Sequence, residues 1–346
     1  MSNPVERRLD DQAEQCAQLG SALYADLLSR AAADVSAGGP TAALLAGHEE
    51  DPPGSALPLR LMAALHRQVL TRQAPELALH YPSVGGSAGV AGAWAAARRT
   101  LHERRQQLAR DLNLPCQTNE PGRCAGLLVA LLHVAHSYPG RPLRLWELGA
   151  SAGLNLQVDR FRIGDLGPAD APVLLADPWE GPAPQPAAYY LAERAGCDSA
   201  PLDPASGAGR LALSASVWAD QVERFARLRT ALAVAGAHPQ PVARESASVW
   251  LAAQLARPAP GLVTLVWHSV VWQYLDRAEQ TAIDGLLHEA GRRATARTPL
   301  VHVSFEPELR GRDGVVFALR ATSWPGERRE HLGDGHGHGP PVRLLP

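Results

Sequence analysis

One short segment constrains the fold of this chain more than any other. An apolar run at residues 143–148 ends at an acidic residue and a turn of small residues, Gly149-Ala-Ser-Ala-Gly153, after which a helical pattern begins. A short apolar run bounded by a glycine turn is typical of a buried strand. The segment therefore predicts a strand–turn–helix unit, the building element of sheets whose strands run parallel.

The periodicity of apolar residues differs on the two sides of this segment. Before it, apolar residues recur at steps of three and four, which predicts helices. These helices are expected at residues 19–33, 57–70, 92–112 and 124–136. After it, short β-rich runs alternate with helical segments, as in a mostly parallel sheet. Seven strands are predicted, at residues 143–148, 188–197, 240–244, 261–267, 299–305, 314–321 and 341–345.

Composition excludes several classes of function. All 33 basic residues are arginine, so mechanisms that need a lysine are excluded: a Walker A loop, a pyridoxal-phosphate Schiff base and a protein kinase. A net charge of −2 without a basic stripe argues against a nucleic-acid partner. The four cysteines lack C-x-x-C spacing, and residues 333–340 alternate His with Gly, which favours a flexible hairpin over a metal site. No metal is expected.

The sequence also indicates where the protein works. No apolar run reaches the length of a membrane span, and the first residues lack a hydrophobic signal core. We therefore expect a cytoplasmic protein without membrane contact.

The turn has the spacing of a nucleotide-binding loop. Glu147-x-Gly149-x-Ser151-x-Gly153 is the arrangement found above the first strand of class I methyltransferases, where S-adenosylmethionine binds. Small residues let the backbone approach the donor, and Glu147 is placed to accept hydrogen bonds from its ammonium group. Asp198, after the second main strand, is the candidate for the ribose hydroxyls. The predicted donor-binding residues are Glu147, Gly149, Ala150, Ser151, Gly153, Asn155, Asp198, Glu245 and Ser246.

The same turn spells a different motif. Gly149-Ala-Ser-Ala-Gly153 is also the nucleophile elbow of α/β-hydrolases, with Ser151 as nucleophile. Asp276 or Glu306, followed by His331, would supply the other two members of the triad. The order of predicted elements argues against this alternative. In a hydrolase several strands precede the elbow, whereas in this chain the 142 residues that precede the first predicted strand are helical. A serine hydrolase and a non-catalytic scaffold remain the alternatives.

His268 is the candidate catalytic residue. It follows the predicted strand 261–267, and an imidazole titrates near neutral pH, as a general base requires. An equal alternative is that His268 binds the backbone of the donor loop. The candidates for binding the acceptor are Tyr81, Gln117, Asn119, Glu120, Trp218, Asp220, Trp272 and Tyr274. Helix capping is the competing interpretation for Asn119, Glu120 and Asp220.

Several of these segments together resemble a bacterial family of uncharacterised proteins, domain of unknown function 2332. The resemblance covers nearly the full chain and rests on residues 74–86, 117–123, 147–155 with Asp159, 197–203, 217–221 and 268–274. It implies a methyltransferase-like fold behind a helical N-terminal domain, and it names no substrate. The chain departs from the family pattern at Ala219, where proline is usual, and at Glu245-Ser246, where a pair containing Asp is commoner.

These observations predict an α/β protein in two parts. Residues 1–138 are expected to form an all-helical domain that covers the site. Residues 139–346 are expected to form a Rossmann-like, class I methyltransferase-type domain with a mostly parallel seven-stranded sheet. An insert at 163–186 contains a candidate extra strand at 173–176, outside the sheet. The predicted reaction is methyl transfer from S-adenosylmethionine to a small polar molecule.

Overall fold

The structure is a computed structural model that describes residues 3–257, 259–310 and 314–345. The α-helices in this part of the chain are α1 (Pro4–Gln18), α2 (Ala22–Ser36), α3 (Pro40–Leu45), α4 (Leu57–Leu70), α5 (Pro75–Ala78), α6 (Ala93–Glu103), α7 (Arg105–Leu112), α8 (Cys124–Ser137), α9 (Gly207–Ser216), α10 (Val222–Ala237), α11 (Ala247–Leu255) and α12 (Arg277–Arg293). None of these helices is long and apolar enough to cross a membrane.

The strands of the described residues are β1 (Leu143–Leu148), β2 (Phe161–Ile163), β3 (Val173–Leu175), β4 (Leu191–Asp198), β5 (Val242–Arg244), β6 (Val263–Ser269), β7 (Leu300–Leu309), β8 (Val315–Trp324), β9 (Arg328–His336) and β10 (Gly339–Leu344). Short 3₁₀ helices lie at Pro53–Ser55, Pro82–Val84, Pro121–Arg123, Asn155–Arg160 and Trp272–Tyr274.

The chain divides into two compact units. The helical unit comprises the residues up to 118 together with 207–229, and the sheet unit comprises 119–206 and the residues from 230 onward. Helix α8 belongs to the sheet unit because it packs against β6, β7, β9 and β10. These units are defined by contacts within the structure, and their bounds differ from the boundary predicted after residue 138. Whether residues 1–138 form a domain of their own stays a prediction.

The helical unit is built from local start signals and one shared core. Pro4 occupies the first turn of α1, and Oδ1 of Asn3 accepts a hydrogen bond from the amide of Val5 at 2.9 Å. The apolar faces of α1, α2 and α4 meet in a core in which Leu9 and Leu27 are fully buried. Most of the stability of these helices is therefore expected to come from packing of their apolar faces.

The predicted helices agree with the structure to different degrees. The helix expected at 57–70 coincides with α4, and the one expected at 124–136 is α8. The helix expected at 92–112 is divided into α6 and α7, because the backbone at Arg104 leaves the helical region, with φ of −112° and ψ of 21°. Periodicity predicts a helical segment well and a break of one residue poorly.

The sheet unit contains one eight-stranded mixed sheet, in the order β10-β9-β8-β7-β6-β1-β4-β5. The five strands from β5 to β7 in that order are parallel, and β8, β9 and β10 continue as antiparallel strands. In chain order the parallel strands read 3-2-1-4-5, as in the first five strands of a doubly wound sheet. The strand order reverses between β1 and β6, and ligands of such sheets bind at the carboxyl ends of the strands beside the reversal.

The sheet has one strand more than predicted, and its last three strands are antiparallel. The additional strand is β9, and the hairpin predicted at 333–340 joins the end of β9 to the start of its antiparallel neighbour β10. The sequence of β9 is rich in charged residues and glycine, which have low strand preference. Its strand conformation therefore depends on pairing with β8. The seven predicted strands all overlap strands of the structure.

The insert after β1 contributes a separate sheet and an edge contact. Strands β2 and β3 pair in parallel outside the main sheet, which confirms the extra strand predicted at 173–176. Farther along the insert, the amide of Glu180 donates to the carbonyl of Val342 at 2.9 Å, and the amide of Val342 donates to the carbonyl of Pro178 at 2.8 Å. The insert therefore lies along the outer edge of β10.

Candidate functional site

The turn after β1 has a backbone that its neighbours hold tightly. Three of its residues have positive φ, namely Gly149, Ser151 and Gly153. A Cβ at Gly149 would lie 2.5 Å from Cγ2 of Val271, so both conformation and space require glycine. Gly196 of β4 is required for a similar reason, because its Cβ would lie 2.5 Å from Cβ of Ala150. No local pattern in the sequence predicts the requirement at Gly196, because it arises from contact with the turn after β1.

Side chains from two other segments fix the turn through its amides. Oδ1 of Asn119 accepts hydrogen bonds from the amides of Ala152, at 3.1 Å, and Leu154, at 3.0 Å. Oδ2 of Asp198 accepts from the amide of Ser151 at 2.9 Å. Asn119, proposed from the sequence for the acceptor, and Asp198, proposed for ribose, thus both shape the turn after β1. A contact between either residue and a ligand stays a prediction.

Three other predicted site residues are exposed around the same edge of the sheet. Glu245 follows β5, and its amide donates to the carbonyl of Asp198 at 3.1 Å. Ser246 is the N-cap residue of α11. Tyr274 has half of its surface exposed. Each could be reached by a ligand, and the structure gives none of the three an enclosed position.

Glu147 is the most unusual group of the site. It is 2% exposed, and its Oε1 accepts a hydrogen bond from Nδ2 of Asn155 at 3.2 Å. Oε2 has no hydrogen-bond partner among the described residues. Burial raises the pKa of the Glu147 carboxyl to about 8, although the Asn155 hydrogen bond and the charge of Arg123 both lower it. The carboxyl is therefore mostly protonated at pH 7, and a nearby cation would favour its ionised form.

Asn155 is itself held in place by a neighbour on α8. The thiol of Cys124 lies 3.3 Å from Oδ1 of Asn155, so the amide oxygen accepts while the amide nitrogen donates to Glu147. This chain of contacts fixes the orientation of the Asn155 amide and with it the position of Glu147. Asn155 therefore positions Glu147 in the described structure.

His268 lies on β6 and forms a dyad with a carboxylate. It is 2% exposed, and its Nδ1 lies 2.7 Å from Oε1 of Glu306. Its ring stacks on those of Trp272 and His302, with ring centroids 5.0 and 5.1 Å away. Nε2 has no hydrogen-bond partner among the described residues. In the tautomer with its proton on Nδ1, the imidazole donates to Glu306 and leaves Nε2 as a proton acceptor.

The pairing of Glu306 with His268 was not predicted from the sequence, which suggested Glu306 only for the hydrolase triad. The signal was present, because Glu306 directly follows the predicted strand 299–305 and β7 is the neighbour of β6. Glu306 also accepts a hydrogen bond from the amide of Val271 at 3.1 Å. One carboxylate thus orients both the imidazole and the segment that packs on Gly149.

Glu147 and His268 lie at the same edge of the sheet. Strands β1 and β6 are parallel neighbours, and their register places Leu148 opposite His268 and Glu147 opposite Trp267. Since successive side chains along a strand point to opposite faces, the side chains of Glu147 and His268 leave the sheet on opposite faces. A ligand that contacts both has to lie across the carboxyl-terminal edge.

The helical unit contains four of the predicted acceptor-binding residues, Tyr81, Gln117, Trp218 and Asp220. Tyr81 is fully buried and packs against the ring of His66, with centroids 5.4 Å apart. Trp218 is 6% exposed and stacks on Tyr24 at 6.0 Å. Gln117 is half-buried. Tyr81 and Trp218 thus belong to the core of this unit, and the prediction that the helical domain covers the site stays a prediction.

Two predicted acceptor-binding residues act as caps. Asp220 accepts hydrogen bonds from the hydroxyl of Ser21, at 2.7 Å, and from the amide of Leu23, at 3.0 Å. It thereby caps α2, which is distant in sequence, rather than the helix that follows it. Oε1 of Glu120 accepts from the amide of Gly122 at 2.9 Å and caps the 3₁₀ turn ahead of α8. The capping interpretation is confirmed for Glu120, at the 3₁₀ turn, whereas Asp220 caps a different helix from the one predicted. Asn119, for which capping was also considered, holds the turn after β1 instead.

The triad of the hydrolase alternative does not form with the expected pairs. Asp276 caps α12, and Glu306 pairs with His268. Nε2 of His331 lies 2.8 Å from Oδ1 of Asp334. Among the residues that the structure describes, no group of three or more His, Cys, Asp or Glu side chains is arranged to hold a metal ion.

Comparison with known proteins gives one match. No curated protein matches the chain, and no solved structure matches it. A family model covers residues 6–343 and is described as an uncharacterized protein conserved in bacteria. This match extends over nearly the whole chain and confirms the resemblance noted from the sequence. The chain belongs to the DUF2332 family.

Proposed function

We propose that the carboxyl-terminal edge of the parallel strands binds S-adenosylmethionine and that the protein transfers the methyl group to a small polar acceptor. The observation that carries this proposal is the buried carboxyl of Glu147, whose Oε2 lacks a partner among the described residues. It lies where the strand order reverses, the usual ligand position in doubly wound sheets. A ligand ammonium group would both satisfy this oxygen and favour the ionised carboxylate.

The turn supports the same proposal. Asn119 and Asp198 fix the amides of the loop, so the loop is shaped before any ligand arrives. A fixed loop lowers the entropy lost when a ligand binds. Asp198 is proposed to contact the ribose hydroxyls with the same carboxylate that holds the amide of Ser151.

Bound S-adenosylmethionine supplies an activated methyl group on a sulfonium, which is a good leaving group. The residues of the chain then have to align the acceptor, exclude water and remove one proton. Nε2 of His268 is proposed to accept that proton, because Glu306 keeps the other nitrogen protonated. Stacking on Trp272 restricts rotation of the imidazole and keeps Nε2 in one direction.

Calorimetric titration with S-adenosylmethionine and S-adenosylhomocysteine tests the donor site. The wild-type protein is expected to bind with micromolar affinity, and Glu147→Gln is expected to weaken binding at least about tenfold, because a charge-assisted hydrogen bond is lost. The matched control is Glu76→Gln, which removes an exposed carboxylate that pairs with Arg99. An absence of binding to the wild-type protein would overturn the proposal.

Proton release gives a more specific test of Glu147. Because its pKa is about 8 without ligand, a cationic ligand that forces ionisation releases about one proton at pH 7 and almost none above pH 9. Titration in buffers of different ionisation enthalpy measures this release. Glu147→Gln should abolish it. Equal proton release in the variant would show that another group titrates.

Two variants distinguish a catalytic role of His268 from a role in donor binding. His268→Ala is expected to abolish methyl transfer, measured with labelled donor against a panel of alcohols, amines and carboxylic acids, while S-adenosylhomocysteine still binds. Glu306→Gln is expected to reduce turnover by a smaller factor, since the imidazole is retained with a weaker orienting group. Loss of donor binding in His268→Ala would favour the alternative in which His268 supports the loop.

One observation favours the hydrolase alternative. Ser151 has a φ of 53°, a strained conformation that nucleophile elbows also use. A fluorophosphonate probe decides between the two functions, with Ser151→Ala as the control. Labelling that the Ser151 variant loses would replace the methyltransferase proposal, and no labelling leaves it in place.

A further inference from the structure

A cavity of about 400 Å³ lies at the opposite edge of the sheet from the proposed donor site. Arg144 and Thr264, the second residues of β1 and β6, and Leu300, the first residue of β7, line it. The remaining walls come from the ends of α11 and α12 and the loops that follow them. The cavity is thus located at the amino ends of the strands, and its volume is in the range of small-molecule sites.

Arg144 is the unusual residue of this cavity. It is 8% exposed, and its guanidinium lies over the ring of Trp146 at 4.1 Å. Nη2 donates to Oγ1 of Thr264 at 2.9 Å, whereas the buried Nε has no hydrogen-bond partner among the described residues. Among the described residues, no carboxylate lies within ion-pair distance of the Arg144 guanidinium, although the charge of Glu193 acts on it from farther away. An unpaired buried cation is costly for a protein.

Two further arginines line the cavity, and both have an ordinary structural role. Arg257 lies just beyond the end of α11, and Arg293 is the last residue of α12, where it pairs with Glu289. Cations at helix C-termini offset the negative end of the helix dipole. Arg144 lies inside a strand, so this explanation does not apply to it. The inference therefore rests on Arg144, and the other two arginines make the cavity more positive.

We propose that this cavity binds a small organic oxyanion, a carboxylate or a phosphate ester with a short apolar chain, and that Arg144 holds the charged end. A guanidinium fixed by stacking presents its donors in the geometry that a carboxylate or phosphate accepts. The apolar walls include Leu255, Ala290 and Leu300, which would contact the chain of the ligand. The site is separate from the proposed donor site and requires no donor binding.

Titration of the full chain with hexanoate, hexyl phosphate and 1-hexanol tests the proposal. At least one of the two anions is expected to bind in the high-micromolar range, and 1-hexanol is expected to bind at least about tenfold more weakly, because it lacks the charge. Comparing hexanoate with hexyl phosphate tells which oxyanion the cavity prefers. Inorganic phosphate measures the contribution of the head group alone.

Substitutions of arginine test whether the anion binds in this cavity. Arg144→Met is expected to weaken the anion at least about tenfold. Arg329→Met, which removes an exposed arginine of β9 that pairs with Glu327, is expected to leave affinity unchanged. Glu147→Gln should also leave it unchanged, which separates this site from the donor site. If Arg144→Met does not fold, Arg257→Met replaces it, with an expected loss of about threefold.

The outcomes that overturn the proposal are definite. They are an absence of binding by both anions at millimolar concentration, equal affinity for 1-hexanol, or unchanged affinity in the folded Arg144 variant. If only Arg257→Met is available, unchanged affinity in it likewise overturns the proposal.

Discussion

Each end of strand β1 carries a buried ionisable group, and the two groups differ in charge state at neutral pH. Arg144 near the amino end and Glu147 near the carboxyl end are each less than a tenth exposed, and each has a polar atom without a partner among the described residues. Burial raises the pKa of the Glu147 carboxyl to about 8, so this group takes up a proton and becomes neutral at pH 7. A guanidinium cannot do the same and stays charged. Arg144 is instead stabilised by Trp146 and Thr264.

This contrast predicts the sign of the ligand charge at each end of β1. A carboxyl that is neutral when empty and ionised when a cation arrives couples binding to pH. A guanidinium that is always charged attracts an anion at every pH at which the protein is folded. The two ends of one strand are therefore expected to differ in pH response, in tolerance of substitution and in ligand sign.

Glu147 should make the stability of the protein depend strongly on pH. The ordinary pKa of 4.5 applies to the unfolded chain, and the folded value is about 8, so the folded state binds more protons between these values. Stability therefore falls as pH rises from 4.5 to 8, and the loss is complete above pH 8. Relative to Glu147→Gln, the wild-type protein should lose on the order of 3–5 kcal/mol between pH 5 and pH 9 in urea titrations. A constant difference between the two proteins would show that Glu147 does not titrate in this range.

Alanine substitutions at the two glycines that flank β1 should differ in their cost to stability. Gly140 and Gly149 both have φ of 71°, but a Cβ at Gly140 meets no atom within 4 Å, whereas at Gly149 it meets Val271 at 2.5 Å. Gly140→Ala should cost about 1 kcal/mol for backbone strain. Gly149→Ala should cost about 2–4 kcal/mol, because overpacking is added. Urea titration of both variants measures the difference.

The double variant Gly149→Ala with Val271→Ala provides the control for this comparison. It removes both Cγ atoms of Val271, including the one at 2.5 Å, and leaves Cβ at 3.1 Å, so it should recover part of the loss. An equal cost for Gly140→Ala and Gly149→Ala would mean that the turn after β1 can move away from Val271.

The smallest expected effect concerns Arg144. Arg144→Met keeps the aliphatic packing and removes an unpaired buried charge, so the free energy of unfolding should change by less than about 1 kcal/mol or increase. Arg329→Met at the surface of β9 provides the reference. A loss of several kcal/mol would indicate that the guanidinium has a partner that stabilises the empty protein, and the contrast with Glu147 would then disappear.

Some of the site follows from local sequence. The bounds of β1 are those predicted, since an apolar run between Pro142 and Gly149 leaves little choice of strand ends. The positions of Glu147 and His268 at one edge follow from parallel strands that end beside each other. These features depend on residues close together in the chain, which is why pattern reasoning reaches them.

Other features depend on contacts between distant residues. Asp220 caps α2 through Ser21, 199 residues away, and no local pattern predicts that pairing. Glu306 meets His268 only because β7 lies next to β6. Strand β9 forms through its partner β8 despite an unfavourable composition. The sequence predicts residue types at strand ends, and the tertiary structure decides which of them meet.

The segment of the insert along β10 has a consequence for how copies of this protein behave together. A bare outer strand offers unpaired amides and carbonyls to a neighbouring molecule and promotes aggregation. Here the backbone of Pro178 and Glu180 already occupies hydrogen-bonding positions on β10, and β10 contains Pro340 and Pro341, which donate no amide hydrogen bond. The opposite outer strand, β5, is only three residues long. Both borders of the described sheet are thus poor templates for the strand-by-strand addition that starts a fibril.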